Sequence, residues 1–183
     1  ENVRSYLEIG ARHGDTFHHV MSALPVGSVG IAVDLPGGAW GQSSSQASLI
    51  AACEDLTARG YRVAYVLGDS TSAEVWAAVG QAHADLIGEE PRGFDAALID
   101  GDHRYAGVLA DWRIWGRSAP VIAFHDIAGE GVRQKTSGDP VEVPRLWREL
   151  KESLPPSVSK IEFIGEGSLM GIGVLTFPAG RSS

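Results

Sequence analysis

Five places along the chain carry acidic, histidine or glycine residues directly after an apolar run. They are Glu8–Gly14, Asp34, Asp69-Ser70, Asp100–His103 and His125-Asp126. Glycines such as Gly10 and Gly14 let a backbone turn tightly and come close to a ligand. Carboxylates accept hydrogen bonds from hydroxyl and amino groups. A histidine can take or give a proton near neutral pH. The residue types therefore suit ligand recognition in the first half of the chain and proton transfer in the second.

The elements that must position these residues alternate between strand-like and helix-like runs. Val3–Ile9 reads as a strand. Asp15 is placed to cap the helix that follows, with Phe17, Val20, Met21 and Leu24 at helical spacing. Val29–Val33 is a second strand, followed by a Gly/Pro/Ser-rich loop over Pro36–Ser45. A helix with Leu49, Cys53 and Leu56 on one face leads to a third strand, Arg62–Leu67. Ser72–Val79 is a helix and Phe94–Ile99 a fourth strand. Tyr105, Val108, Leu109, Trp112 and Trp115 mark a helix, and Pro120–Phe124 a fifth strand. Ala128–Pro140 is polar, with Gly129, Gly131 and Gly138, and is expected to be a mobile lid. A helix with Val143, Leu146, Trp147, Leu150 and Leu154 precedes two strands, Lys160–Ile164 and Gly171–Phe177, expected to pair antiparallel. The pattern predicts an α/β fold: a Rossmann-like, doubly wound, mainly parallel seven-stranded sheet with an antiparallel final strand and helices on both faces. In such sheets ligands bind beyond the carboxyl ends of the strands, where all five groups fall.

Glu8-Ile9-Gly10-Ala11-Arg12-His13-Gly14 matches E-x-G-x-x-x-G, a form found in S-adenosylmethionine (SAM)-dependent methyltransferases. The dinucleotide pattern G-x-G-x-x-G is not met. Asp34 lies 20 residues beyond Gly14, about where an acid meets ribose hydroxyls in nucleotide-binding folds. Its other reading is an opener of the Pro36-Gly37-Gly38 turn. Asp69-Ser70 either contacts an adenine amino group or caps the next helix.

The stretch Phe94-Asp95-Ala96-Ala97-Leu98-Ile99-Asp100-Gly101-Asp102-His103-Arg104-Tyr105 and the later Pro120-Val121-Ile122-Ala123-Phe124-His125-Asp126 go further. With Arg145-Leu146-Trp147 and Gly171-Ile172-Gly173-Val174, they resemble class I SAM-dependent methyltransferases. The group resembled includes macrolide-sugar O-methyltransferases and cephalosporin-hydroxylase-like proteins. The resemblance implies that SAM is bound by Glu8, Gly10, Gly14, Asp34, Asp69, Ser70 and Asp100. It implies a divalent metal, magnesium or another, on Asp100, His125 and Asp126, and His103 as general base. The chain departs from the group at His125, where the relatives carry a carboxylate. Imidazole suits zinc, iron, nickel or manganese-like sites better than magnesium, and the alternative is that His125 does not ligate at all.

These types make chemical sense together. An alcohol is a weak nucleophile, and a metal or a nearby histidine assists loss of its proton. His103 in the first turn of a helix is disfavoured as a cation, which would keep it neutral and basic. Capping by Asp100 or Asp102 is the plain structural alternative. A calcium loop at Asp100-Gly101-Asp102 fails, with Tyr105 at the sixth position and Asp111 at the twelfth. His18 and His19 lie on a helix with no acidic partner expected nearby and are assigned no role, and His83 reads as a surface residue. Trp112, Trp115 and Trp147 read as core.

The implied function is O-methylation of a small-molecule hydroxyl, on a sugar or another natural product. A non-catalytic SAM-binding module and a nucleotide-dependent oxidoreductase stand as alternatives. The 183 residues suggest one domain over 1–183, and a formal net charge of -8 disfavours a phosphate-backbone partner. The single cysteine, Cys53, permits no internal disulfide and suits a reducing, cytoplasmic setting. No run reaches the roughly 20 apolar residues of a membrane span. No signal peptide is visible, and an N-terminal segment is expected to be missing or very short. The partner expected is a small hydroxylated acceptor, with neither nucleic acid nor membrane; a homo-oligomer is compatible with the sequence. Trp40-Gly41, Ala128–Pro140 and Glu166–Met170 are candidate acceptor-shaping segments.

Overall fold

The computed structural model describes residues 3–37, 43–89, 93–129, 131–134, 137–166 and 170–178. Trp40-Gly41 and most of the Glu166–Met170 turn lie outside them. Twelve elements alternate: β1 (Ser5–Ile9), α1 (Asp15–Ala23), β2 (Val29–Asp34), α2 (Ser43–Ala58), β3 (Arg62–Leu67), α3 (Ala73–Ile87), β4 (Ala96–Ile99), α4 (Tyr105–Trp115), β5 (Val121–His125), α5 (Val143–Ser153), β6 (Ser159–Phe163) and β7 (Ile172–Thr176). The strands form a seven-stranded sheet in the order β3-β2-β1-β4-β5-β7-β6. The chain divides into two compact units, Glu1–Asp95 and Ala96–Ser183.

In the first unit β1, β2 and β3 are parallel, with Ile9 beside Val33 and Asp34 beside Leu67. Continuous apolar strands are buried here: Leu7, Ile9, Ile31 and Val33 are all within 1% of full burial. Phe17 and Met21 of α1 pack on β2 at Gly30, where an added Cβ would stand 2.6 Å from Met21 Sδ and 2.9 Å from Phe17 Cζ. Leu49, Cys53 and Leu56 bury one face of α2. Burial raises the Cys53 thiol to about 11, so it packs as an apolar group.

Asp95 closes this unit as a clasp. Its Oδ2 accepts from the Arg4 and Ser5 amides at 2.7 and 2.9 Å. Its own amide donates to Ser5 O at 3.1 Å and to Ser5 Oγ at 2.9 Å.

In the second unit β4 and β5 are parallel, while β7 runs antiparallel to both β5 and β6. The antiparallel final strand and the β6–β7 pairing agree with the pattern of the sequence. Trp147 of α5 seats on Gly173 of β7, where an added Cβ would lie 2.7 Å from the indole. Trp115 and Trp147 are core, whereas Trp112 is half-buried between Phe124 and Phe177, with ring centroids at 5.7 and 6.5 Å.

Several local expectations are corrected. Gly14, left-handed at φ 83°, is the N-cap of α1, and Asp15 is the first helical residue, so Asp15 supplies no cap. α3 runs to Ile87, well past Val79, and stops at the left-handed Gly88. His83 is buried, stacked on Phe94 at 4.4 Å; it is not a surface residue. His18 does have an acidic neighbour, Asp55 of α2, at 2.7 Å. In the described part of 128–140, Arg133 bridges Pro140, and Val141 N donates to Val132 O at 2.9 Å.

Candidate active site

The first unit brings three of the predicted ligand-binding groups to one edge, because β1, β2 and β3 end together. Glu8 sits within β1, 1% exposed, and its carboxylate accepts from Tyr6 Oη at 2.6 Å. The chain then reverses. Gly10 takes φ 90° and its amide donates to Val33 O at 2.8 Å; Ala11 N donates to the same carbonyl at 3.1 Å. Arg12 is left-handed at φ 48°, a sparse conformation for a side chain of its size. An added Cβ at Gly14 would meet Ala52 at 3.0 Å and Leu49 at 3.1 Å, so glycine is needed there for both angle and space.

Asp34 ends β2. Burial raises its carboxyl pKa and outweighs the Arg12 and Leu35 amides and the charges of Arg12 and His13, which pull it down. Asp69 is exposed and folds into its own turn, accepting from Thr71 N at 2.8 Å and Thr71 Oγ1 at 2.6 Å. The cap of α3 is Ser72, whose Oγ accepts from Val75 N, so neither Asp69 nor Ser70 fills that position.

The second unit brings Asp100, His103, His125 and Asp126 into one cluster. Ile99 pairs with Phe124 in parallel register, so Asp100 and His125 leave neighbouring strands side by side. His103 Nε2 lies 3.2 Å from Asp100 Oδ1, and His103 Nδ1 lies 3.0 Å from Asp126 Oδ2. His125 Nδ1 lies 3.3 Å from Asp100 Oδ1 and 3.2 Å from Asp126 Oδ1. Asp126 is left-handed at φ 59°, a strain that asparagine and aspartate tolerate best.

Electrostatics follow from these contacts. Burial pulls the His103 ring down, but hydrogen bonding to Asp100 and Asp126 and their charges prevail, raising it to about 9. The same two carboxylates raise His125 to about 10. Asp100 and Asp126 both fall below the usual carboxylate range, because the imidazoles outweigh burial. The expectation of a neutral His103 is therefore corrected: two carboxylates at about 3 Å dominate the helix-end field.

The three expected metal ligands, Asp100, His125 and Asp126, lie together in this arrangement. Each carboxylate faces two imidazole nitrogens at ion-pair distance. Among the described residues, no group of three or more His, Cys, Asp and Glu side chains is already placed to hold a metal ion. Asp100, His125 and Asp126 are the residues that would hold a divalent cation, and no step below passes through one.

Neither Asp100 nor Asp102 caps α4. Asp102 Oδ1 accepts from Arg104 N at 2.9 Å and Asp102 Oδ2 pairs with the Arg104 guanidinium at 2.6 Å. Asp102 folds over Gly107, where an added Cβ would clash at 2.3 Å. The first amide of α4, Tyr105 N, donates instead to Glu142 Oε2 at 2.9 Å. Sequence reasoning missed Glu142, whose partner is 37 residues away.

The sequence matches no family model and no curated protein. Solved structures do match in shape. An O-methyltransferase from Bacillus cereus, in complex with SAH, aligns with TM-score 0.60 and 22% identity over 96% of this chain and 74% of that one. The O-methyltransferase TomG from Streptomyces achromogenes, in complex with SAM, gives 0.61 and 17% over 97% and 74%. A putative rRNA-methylase from Clostridium thermocellum gives 0.62 and 10% over 94% and 88%. At these identities the likeness is one of fold, and the chain has the class I, Rossmann-like fold of SAM-dependent methyltransferases.

Proposed function

We propose that this protein is a SAM-dependent O-methyltransferase acting on a hydroxyl of a small molecule. The observation that carries the reading is His103 held between Asp100 and Asp126 at the carboxyl ends of β4 and β5, in a chain with this fold. SAM, when bound, supplies a sulfonium methyl group. Gly10, Gly14, Glu8 and Asp34 are the residues proposed to hold it, with Asp34 accepting from the ribose hydroxyls. Asp69-Ser70 are proposed at the adenine, and Asp100 is proposed as a further SAM contact.

His103 in its neutral form takes the proton of the acceptor hydroxyl. The acceptor oxygen forms a bond to the methyl carbon as the carbon–sulfur bond breaks, and the electron pair stays on sulfur. Asp100 and Asp126 hold the ring and stabilise the imidazolium that results. The acidic net charge supports a small acceptor over a nucleic acid. A SAM-binding module without turnover is the second reading, favoured by the protonated resting state of His103.

Calorimetric titration with SAM, followed by turnover on a panel of sugars and other hydroxylated compounds with and without chelator, tests the proposal. Micromolar binding with turnover on at least one acceptor is expected, and the chelator arm decides whether a divalent metal on Asp100, His125 and Asp126 assists. Binding with no turnover on any acceptor selects the module, and absence of SAM binding overturns both readings.

A further inference from the structure

We infer that Glu142 is a positioning residue for His103, an inference that rests on the proposed methyl transfer. Glu142 grips the chain on both sides of Arg104. Its amide donates to His103 O at 2.8 Å, and its Oε2 accepts from Tyr105 N at 2.9 Å. Its own carbonyl accepts from Arg145 N at 3.0 Å and Leu146 N at 3.4 Å, which starts α5. One residue therefore joins the His103 loop to a second helix.

α4 lacks a cap of its own. Arg104 occupies the cap position and makes no side-chain cap hydrogen bond. The Glu142 carboxylate supplies both the acceptor and the negative charge that a helix N-terminus favours. Its base is rigid: Val143, Pro144, Leu146, Trp147 and Leu150 of α5 are buried. A second tie runs parallel, since Tyr105 Oη donates to Glu149 Oε2 at 2.5 Å and the Arg145 guanidinium stacks on the Tyr105 ring at 3.8 Å.

The division of labour follows. Asp100 and Asp126 set the ring of His103, and Glu142 sets its main chain. If the carboxylate is removed, Tyr105 N–H loses its partner and the 100–104 loop is free to shift along α4. A misplacement of the order of 1 Å costs up to about 100-fold in a step that depends on alignment.

The test compares Glu142→Ala, Glu142→Asp and Glu142→Gln with wild type. Glutamine keeps an acceptor oxygen at the same reach, whereas aspartate keeps the charge but is one methylene too short. Turnover per folded molecule is expected to fall about 5–50-fold in the alanine and aspartate variants, with the SAM dissociation constant unchanged, and to return to within about 2-fold of wild type with glutamine. Independently of activity, the imidazole NMR signals of His103, assigned by their loss in His103→Gln, should shift or broaden with alanine and aspartate and recover with glutamine. Unmoved His103 signals in Glu142→Asp, or a glutamine variant as impaired as alanine, would overturn the inference. If the alanine variant fails to fold, the aspartate and glutamine pair decides. If wild type transfers no methyl group, the proposed function fails and the NMR comparison alone decides the role of Glu142.

Discussion

His103 Nδ1 stands 3.0 Å from Asp126 Oδ2, and the Asp126 main chain is left-handed at φ 59° where the contact is made. The strain and the ion pair occur at one residue, directly after β5. Backbone held in a sparse region persists where surrounding contacts over-determine it. Here the contact is with the proposed base.

Replacing that base gives the first prediction. His103→Ala should cut turnover by roughly 10²–10⁴-fold, the usual worth of a general base, and leave SAM affinity nearly intact. A turnover assay on folded, SAM-saturated variant checks it. Full activity would end the general-base proposal. Because the ring must be neutral to act, the wild-type rate should climb with pH through about 9, the value to which Asp100 and Asp126 raise it, to a plateau above.

The same cluster makes stability depend on pH at both ends. His103 and His125 are raised from 6.5 to about 9 and about 10, so their contribution is complete below pH 6.5 and is lost as pH rises through those values. Asp100 and Asp126 are lowered from 3.8, so theirs is present above that pH and lost in stronger acid. Thermal melts should show the histidine contribution falling away between about pH 6.5 and 10 and levelling off above that. His125→Asn should flatten the alkaline fall. An equally steep fall in that variant would count against the cluster as its source.

Asp34 tests the ligand edge of the first unit. Asp34→Ala should weaken SAM binding by about 1–3 kcal/mol, the cost of losing charge-assisted hydrogen bonds. An unchanged dissociation constant in calorimetry would remove Asp34 from the site.

His83 gives a second pH effect of opposite sign. Burial lowers its pKa below 6.5, against the attraction of Asp95, so the folded state favours the neutral ring. Stability is complete above pH 6.5 and declines as acid charges the unfolded chain first. His83→Phe keeps a ring on Phe94 and should make the melting temperature less sensitive between pH 5 and 7. If wild type and variant lose stability in parallel there, His83 is not titrating.

Why some of this was legible and some was not follows from the range of the interactions. β3 matches its expected bounds to the residue, because it is set by its own apolar spacing, and the apolar series from Tyr105 to Trp115 marks α4. The parallel order and the strand-end acids followed from alternation alone. His83 was legible but misread: it continues the series Val75, Val79 at four-residue spacing, which marks the buried face of α3. Its residue type, which is as often exposed as buried, masked the periodicity. Glu142 and the His18–Asp55 pair were out of reach, since each joins residues 37 apart on different helices. The charge state of His103 was misjudged for a similar reason. The helix starts at Tyr105, two residues past His103, so the ring lies outside the first turn expected for it, and Asp126 comes from the next strand.

The clasp between Ser5 and Asp95 spans 90 residues. Closing a flexible segment of that length costs about 4 kcal/mol of chain entropy, by the logarithmic dependence on length. During synthesis at roughly 5–20 residues per second, Ser5 waits about 5–18 s for its partner to emerge. Until then β1 keeps open amides at Arg4 and Ser5, and the strand that carries Glu8 can slip or pair with another nascent chain. A domain built this way becomes secure only when its last residue arrives, so its vulnerability lies in the interval of translation between its first strand and its fourth.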